Sequence, residues 1–346
     1  MIALLALFAP SALAGPGLTH PEGAVVTPST AEVVYEVKNT GEVHVTYAMT
    51  YTGEANRFGW VIPVFGKVVS LHDARIDDIV TLREVSQPVV QRFEPFEGTD
   101  ACNCASEVRE GVDTGEPRML EDVHVIDRGY TGHYGYDIVT ANHATGLAQW
   151  FEEKGFLSLA AEDLEHYIDL GANFLTVTVL PTGEEPAEAE KAMPPLRVVY
   201  DGEGDLRYPA LLGSRSGGSE LTTTLYVLGG GLAELGNGWT AQAVDTLRGG
   251  LDDDPVAIWQ ETRALAGADK GFVLTYGKGY EGRYLTRFDT IAPVDVHDSD
   301  VVIHVSSDPG IHSTRIVLEE PGSEGGNAAI ILLLPLAGAA LRRRRA

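Results

Sequence analysis

Residues 31–51 read AEVVYEVKNTGEVHVTYAMTY, and the spacing of the apolar residues in this stretch decides the fold. Val33, Tyr35 and Val37 recur at every second position, and so do Val43, Val45 and Tyr47. A period of two places each trio on one face of an extended strand. Between the trios, KNTG supplies the asparagine and glycine that reverse a chain. The expectation is a β-hairpin with one face turned to a core.

Working outward, FGWVIPVFG (58–66) predicts a short apolar strand stopped at Pro63, because proline cannot donate to a ladder. The segment from Ser70 to Pro95 is mixed, with VSQPVVQRFEPF (85–96) reading as extended chain interrupted by prolines. Glu97 to Glu121 is acidic and glycine-rich, and predicts a long surface loop. YGYDIVTANH (134–143), NFLTVTVL (173–180), LRVVYDG (196–202), ELTTTLYVLGGG (220–231), RYLTRFDTI (283–291) and DVVIHVSSD (300–308) read as strands. GEEPAEAEKAMPP (183–195) is a polar, proline-bounded insertion.

Three short helices are expected between the strands. The first opens at Thr145, turns Leu147, Trp150 and Phe151 inward and stops at Gly155. The second is capped by Ser158, carries Leu164, Tyr167 and Ile168, and stops at Gly171. The third has Asp254 as its cap, Pro255 at the first helical position, and Trp259 and Leu265 inward. No internal repeat is present. The fold class is α+β, a β-rich body of mainly antiparallel strands spanning residues 17–318, with a break between two subdomains placed near 97–121 or 182–195.

Both termini point out of the cytoplasm. MIALLALFAPSALA (1–14) has an apolar stretch followed by small residues, the pattern of a secretory signal cut after Ala14, although its start carries no Lys or Arg. After a Glu, Gly, Pro and Ser linker (319–327), residues 328–341 form a 14-residue apolar run. As a helix it spans roughly 21 Å against a hydrocarbon core of roughly 30 Å. Arg342, Arg343, Arg344 and Arg345 close it, and the positive-inside rule puts them on the cytoplasmic side. The tail (328–346) resembles bacterial C-terminal sorting signals of the type in which Gly325 and Gly326 mark the region cut by a membrane protease. The implied partners are the export machinery, that protease, and a membrane contacted through the tail. The implied location is the cell-envelope surface or the medium.

Composition narrows the classes further. Hydrophobic residues make up 44% of 346, enough for a core, and the formal charge is −25, which becomes −29 without the tail arginines. With only six lysines, such a surface repels phosphate backbones, so nucleic acid is excluded as an expected partner. Cys102 and Cys104, in TDACNCASE, are two of the four ligands a structural zinc site needs, and in an oxidising compartment they form a disulfide or remain two thiols.

No reaction is spelled out. GSRSG (213–217) puts Arg215 where a serine nucleophile belongs, no glycine loop is followed by a phosphate-binding lysine, and His133, His143, His297 and His304 lack helical ligand spacing. Asp252 and Asp253 in LDDDP, with Asp298 and Asp300 in DVHDSD, are the candidate oxygen ligands for calcium, against the simpler role of capping a helix or flanking a turn. No other cofactor is expected. Three functions stay open: a non-catalytic surface protein that binds or supports, a calcium-dependent surface module, and a secreted hydrolase whose carboxylates converge only in space.

An ordered series of patches carries a family resemblance: WVIPV (60–64), YDIV (136–139), QWFEEKGF (149–156), DLEHYIDLGANFLTV (163–177), PLRVVYDGEGDLRYPALL (195–212) and YLTRFDT (284–290). In that order they resemble the bacterial family called domain of unknown function 2330, over roughly Val33 to Thr290. The residues just after Ala14 and the acidic loop around the cysteines depart from it. The resemblance implies an exported protein with one family domain, and carries no established activity, cofactor or catalytic residue.

Overall fold

The computed structural model describes residues 18–19, 26–53, 58–92, 123–154, 159–179, 191–202, 204–214, 219–307 and 309–319. The chain opens with β1 (Leu18–Thr19), β2 (Val26–Val37), β3 (Glu42–Gly53), β4 (Phe58–Val64) and β5 (Lys67–Asp73), then α1 (Ile76–Ser86) and β6 (Val89–Arg92). β7 (Val123–Thr131) and β8 (Tyr134–Ala141) precede α2 (Ala144–Glu153), α3 (Ala161–Asp169) and β9 (Asn173–Val179). Next come β10 (Lys191–Ala192), β11 (Leu196–Asp201), β12 (Leu206–Tyr208), α4 (Ala210–Ser214), β13 (Glu220–Gly229), β14 (Ala233–Gly236), β15 (Thr240–Ala243) and β16 (Thr246–Gly250). The last run is α5 (Pro255–Gly267), β17 (Gly271–Tyr280), β18 (Arg283–Pro293), β19 (Val301–Val305), β20 (His312–Ser313) and β21 (Arg315–Glu319).

The expected hairpin is β2–β3, antiparallel, with Val33 opposite Tyr47 and Tyr35 opposite Val45. It lies inside a large sheet ordered β15-β17-β18-β13-β2-β3-β11-β5. β2 pairs in parallel with β13 across a long sequence gap. A five-stranded antiparallel sheet, β1-β4-β9-β8-β7, stacks on it. The main core lies between the two sheets, where Val33, Tyr35, Val45 and Tyr47 meet Trp60, Ile62, Ile138 and Val177. Tyr47 and Trp60 touch edge to face at 5.5 Å across this seam.

Each sheet is covered again on its outer face, which gives a helix–sheet–sheet–helix layering. α2 and α3 bury Leu147, Trp150, Phe151, Leu164 and Tyr167 with Val61, Val139 and Phe174 of the smaller sheet. On the other side α1 packs Ile79 and Leu82 against Val34, Tyr226, Leu228 and Leu285 of the large sheet. α5 sets Trp259 and Ala266 with Val273 of β17 and Ile316 and Leu318 of β21.

The α+β class and the mainly antiparallel strands agree with the sequence. The helix count does not, because five α-helices stand among the described residues. α1 escaped because its N-terminal flank, Arg75, makes no side-chain cap and only Ile79, Leu82 and Ser86 are buried in eleven residues. α4 escaped because it is buried on every side and shows no amphipathic period. Pro63 does not end its strand. It pairs with Phe174 of β9, and on the opposite edge β1 reaches only Trp60 and Gly59, so that edge is open at the proline. α3 begins at Ala161 behind Ala160, which makes no side-chain cap; Ser158, expected as the cap, lies outside the described residues. Leu265 is 45% exposed; the inward positions of α5 are Trp259, Ala266 and Gly267. The cap at Asp254 stands, its carboxylate accepting from the Val256 N–H at 2.9 Å, and Gly171 ends α3 with φ +74°.

Candidate functional site

Among the described residues, a cleft of about 770 Å³ opens across one end of the large sheet. Three turns build it. The β2–β3 turn contributes Val37, Lys38 and Asn39; the end of β13 contributes Gly229 and Gly230; the β17–β18 hairpin contributes Gly279 through Tyr284. These segments adjoin because the sheet order runs β17-β18-β13-β2-β3. The hairpin turns on Glu281 and Gly282, with φ of 47° and 77°. Two consecutive positive φ values match the strand twist, so the turn is tight and its flanks stay in register.

Beneath the cleft sits Glu36, which takes three cations. Lys38 Nζ lies 2.5 Å away, Arg283 Nη1 3.1 Å and Arg197 Nη2 3.3 Å. Burial alone would raise the Glu36 pKa, but hydrogen bonds from Lys38 and Arg283 and the nearby charges outweigh it and hold the carboxyl below its usual range. Arg197 also reaches Asp78 of α1 at 3.6 Å.

A second charged group lies further along the same face, under α1. Arg287 and Asp289 of β18 form a bidentate pair at 2.8 and 2.9 Å, with the Asp289 side chain fully buried. Thr224 donates to the same carboxylate at 2.9 Å, and Thr275 also donates to it. Arg287 Nη1 donates to the Arg83 carbonyl at 3.3 Å, closing the end of α1. Arg83 in turn holds Glu32, which also accepts from the Tyr226 hydroxyl at 3.0 Å. Burial works against the Arg287 charge, but Asp289 more than offsets it and the guanidinium pKa is raised. Neighbouring Arg263 of α5 has a buried Nε without a partner, and burial lowers its pKa.

Of the aspartates singled out for calcium, Asp252 and Asp253 lie just before α5 and Asp298 and Asp300 between β18 and β19. Asp252 is exposed. Asp253 accepts from the Gly250 N–H at 2.7 Å in the turn before α5. Asp298 pairs with Lys270. Asp300 is buried instead, accepting from the Tyr167 hydroxyl at 2.6 Å and the Leu211 N–H at 3.3 Å while its second oxygen has no partner. Burial raises the Asp300 pKa. Among the described residues no three His, Cys, Asp or Glu side chains gather as a metal site.

His297 is buried against Trp239 and its Nδ1 meets the Pro293 carbonyl at 3.0 Å. His304 pairs with Asp205 and His133 with Asp73, while His143 precedes α2. Ala14, Cys102, Cys104, Gly325, Gly326 and the arginines 342–345 lie outside the described residues. Among the described residues no helix is long and apolar enough to cross a membrane.

The cleft went unread in the sequence. Its residues come from a turn, a glycine run and a hairpin far apart in the chain, and no spacing rule joins them. The one local sign was the interleaving of glycine, tyrosine and charge in GKGYEGRY (277–284).

Layering and cleft together define the class, a β-rich α+β protein with an open cleft of mixed polarity at one end of its large sheet. The family described as "Uncharacterized protein conserved in bacteria (DUF2330)" matches residues 10–243, and the chain belongs to it. The match begins before Val33 and ends before YLTRFDT, so that last patch of resemblance lies beyond it. No curated protein matches the chain. The crystal structure of baculovirus P35 overlays 84% of this chain and 97% of its own, at 9% identity and a TM-score of 0.32, an overlap too loose to define a shared fold.

Proposed function

We propose that this protein is an exported bacterial binding protein without catalytic activity, held or sorted at the cell envelope by its C-terminal tail. The observation that carries the binding part is the cleft, an open volume of about 770 Å³ with walls fixed by sheet pairing. Catalysis fits this cleft less well. Lys38 and Arg283 are engaged by Glu36, and a carboxylate held ionised by three cations is a feeble proton acceptor. Support for export comes from the signal-like residues 1–14, the apolar run and the arginine cluster.

Intact-mass measurement of the native protein from membrane, medium and cytoplasmic fractions tests the location. The expected species starts at Gly15 and ends near Gly325. A species in the membrane fraction that retains residues 328–346 would make the tail a lasting anchor, and a full-length cytoplasmic species would overturn export.

A further inference from the structure

We infer that the cleft binds a neutral saccharide, an inference that rests on the binding reading above. Two independent observations lead there, one concerning its charges and one its glycines.

The charges balance. Lys38, Arg197 and Arg283 are opposed by Glu36, Asp78 and by Glu281 on the rim. No excess positive charge is left for an anion, and the chain, at −25 overall, repels one at long range. A cation would find Glu36 already occupied by Lys38, Arg197 and Arg283. The remaining chemistry is mixed: Lys38 and Arg283 donate, Glu281 accepts, Asn39 does both, and Tyr280 and Tyr284 add ring surface. A sugar hydroxyl both donates and accepts, and the C–H face of a pyranose ring packs on an aromatic ring, so a polyhydroxylated ring answers every part of this lining.

The glycines mark where the ligand lies. Gly41 and Gly282 are accounted for by φ of 89° and 77°, and Gly229 by Val305 Cγ1, which would stand 2.5 Å from an added Cβ. Gly230 and Gly279 have no such cause. Neither has a positive φ, and an added Cβ at either meets nothing within 4 Å. Both line the cleft. A glycine that neither the backbone conformation nor the packing requires leaves bare main chain for close approach by a ligand.

The same open space makes the test clean, since a Cβ added at either glycine meets nothing within 4 Å, and Gly230→Leu and Gly279→Leu place bulk at the cleft lining. Wild type and both variants are titrated by calorimetry with maltohexaose, cellohexaose, mannohexaose and the fully N-acetylated chitohexaose. Glucuronate, glucosamine and the neutral and acidic polysaccharide fractions of the native envelope are titrated alongside. The expected result is binding of at least one neutral probe, weakened about tenfold or more in both variants while their melting temperatures stay at or above the wild-type value. Charged probes alone binding, and lost in the variants, would overturn the neutral saccharide and leave the binding reading standing. No binding by any probe would overturn the saccharide alone, and binding that the variants do not weaken would overturn both by placing the site outside the cleft.

Discussion

Arg287 and Phe288 are neighbours in sequence and stand on opposite faces of β18. Phe288 is buried in the core between the two sheets; Arg287 is 8% exposed on the outer face and locked to Asp289 under α1. Both faces are closed to water, yet by different physics. The Phe288 face is stabilised by apolar area, which is non-directional and tolerates small adjustments. The Arg287 face combines the apolar cluster under α1 with a buried ion pair, and that pair must stay whole because a buried ion left alone costs far more than the pair contributes.

The largest expected effect breaks that contrast open. Arg287→Met should lower the unfolding free energy by about 3–5 kcal/mol in urea denaturation, since Asp289 is then buried and unpaired. Adding Asp289→Leu should recover most of the loss. Phe288→Ala should cost a similar amount, about 3–5 kcal/mol, and no second deletion should recover it. A double variant as unstable as Arg287→Met alone would show that packing, not charge pairing, holds the outer face.

Gly267→Ala tests how closely α5 sits on the charged face. An added Cβ would meet the Ile291 carbonyl oxygen at 2.1 Å, so backbone must move. A loss of about 1–3 kcal/mol is expected in the same assay. An unchanged midpoint would mean that α5 can ride away from the sheet.

Asp254→Ala sharpens the comparison at its rim by removing the cap of the same helix. The expected cost is about 1 kcal/mol. An effect as large as that of Gly267→Ala would show that α5 is held by its own end rather than by what it covers.

The smallest effect concerns slope rather than level. Asp300, between α3 and α4, is buried with one oxygen unpartnered, and burial raises its pKa in the fold above the unfolded value. The folded state therefore binds this proton more tightly than the unfolded chain does. Stability from this group is present below the unfolded pKa and is lost as pH rises through the folded one. Asp300→Asn should remove that dependence, so its stability relative to wild type should rise with pH across the acid range in thermal melts. A constant difference would refute the assigned cause.

Legibility followed locality. The β2–β3 hairpin, the Asp254 cap and the Gly171 stop are set by a few adjacent residues and were read directly. Helix α1 was not, because its amphipathic signal rests on Ile79 and Leu82 with no side-chain cap. Half of the charged face was equally silent. Glu32 and Glu36 alternate with the core residues of β2, a spacing that carries no sign of what covers them, yet α1 and four cations enclose them.

By itself the sequence determined which residues of each strand share a face, where a helix is capped, how acidic the body is and what its two ends resemble. Only the tertiary structure decided that both faces of the large sheet are covered, and that residues 37–39, 229–230 and 279–284 meet in one cleft. The reason is that side-chain alternation and capping are set within a few residues. Parallel pairing of β2 with β13 joins positions as distant as Glu32 and Tyr226, 194 residues apart, and that choice is made by packing of the whole chain.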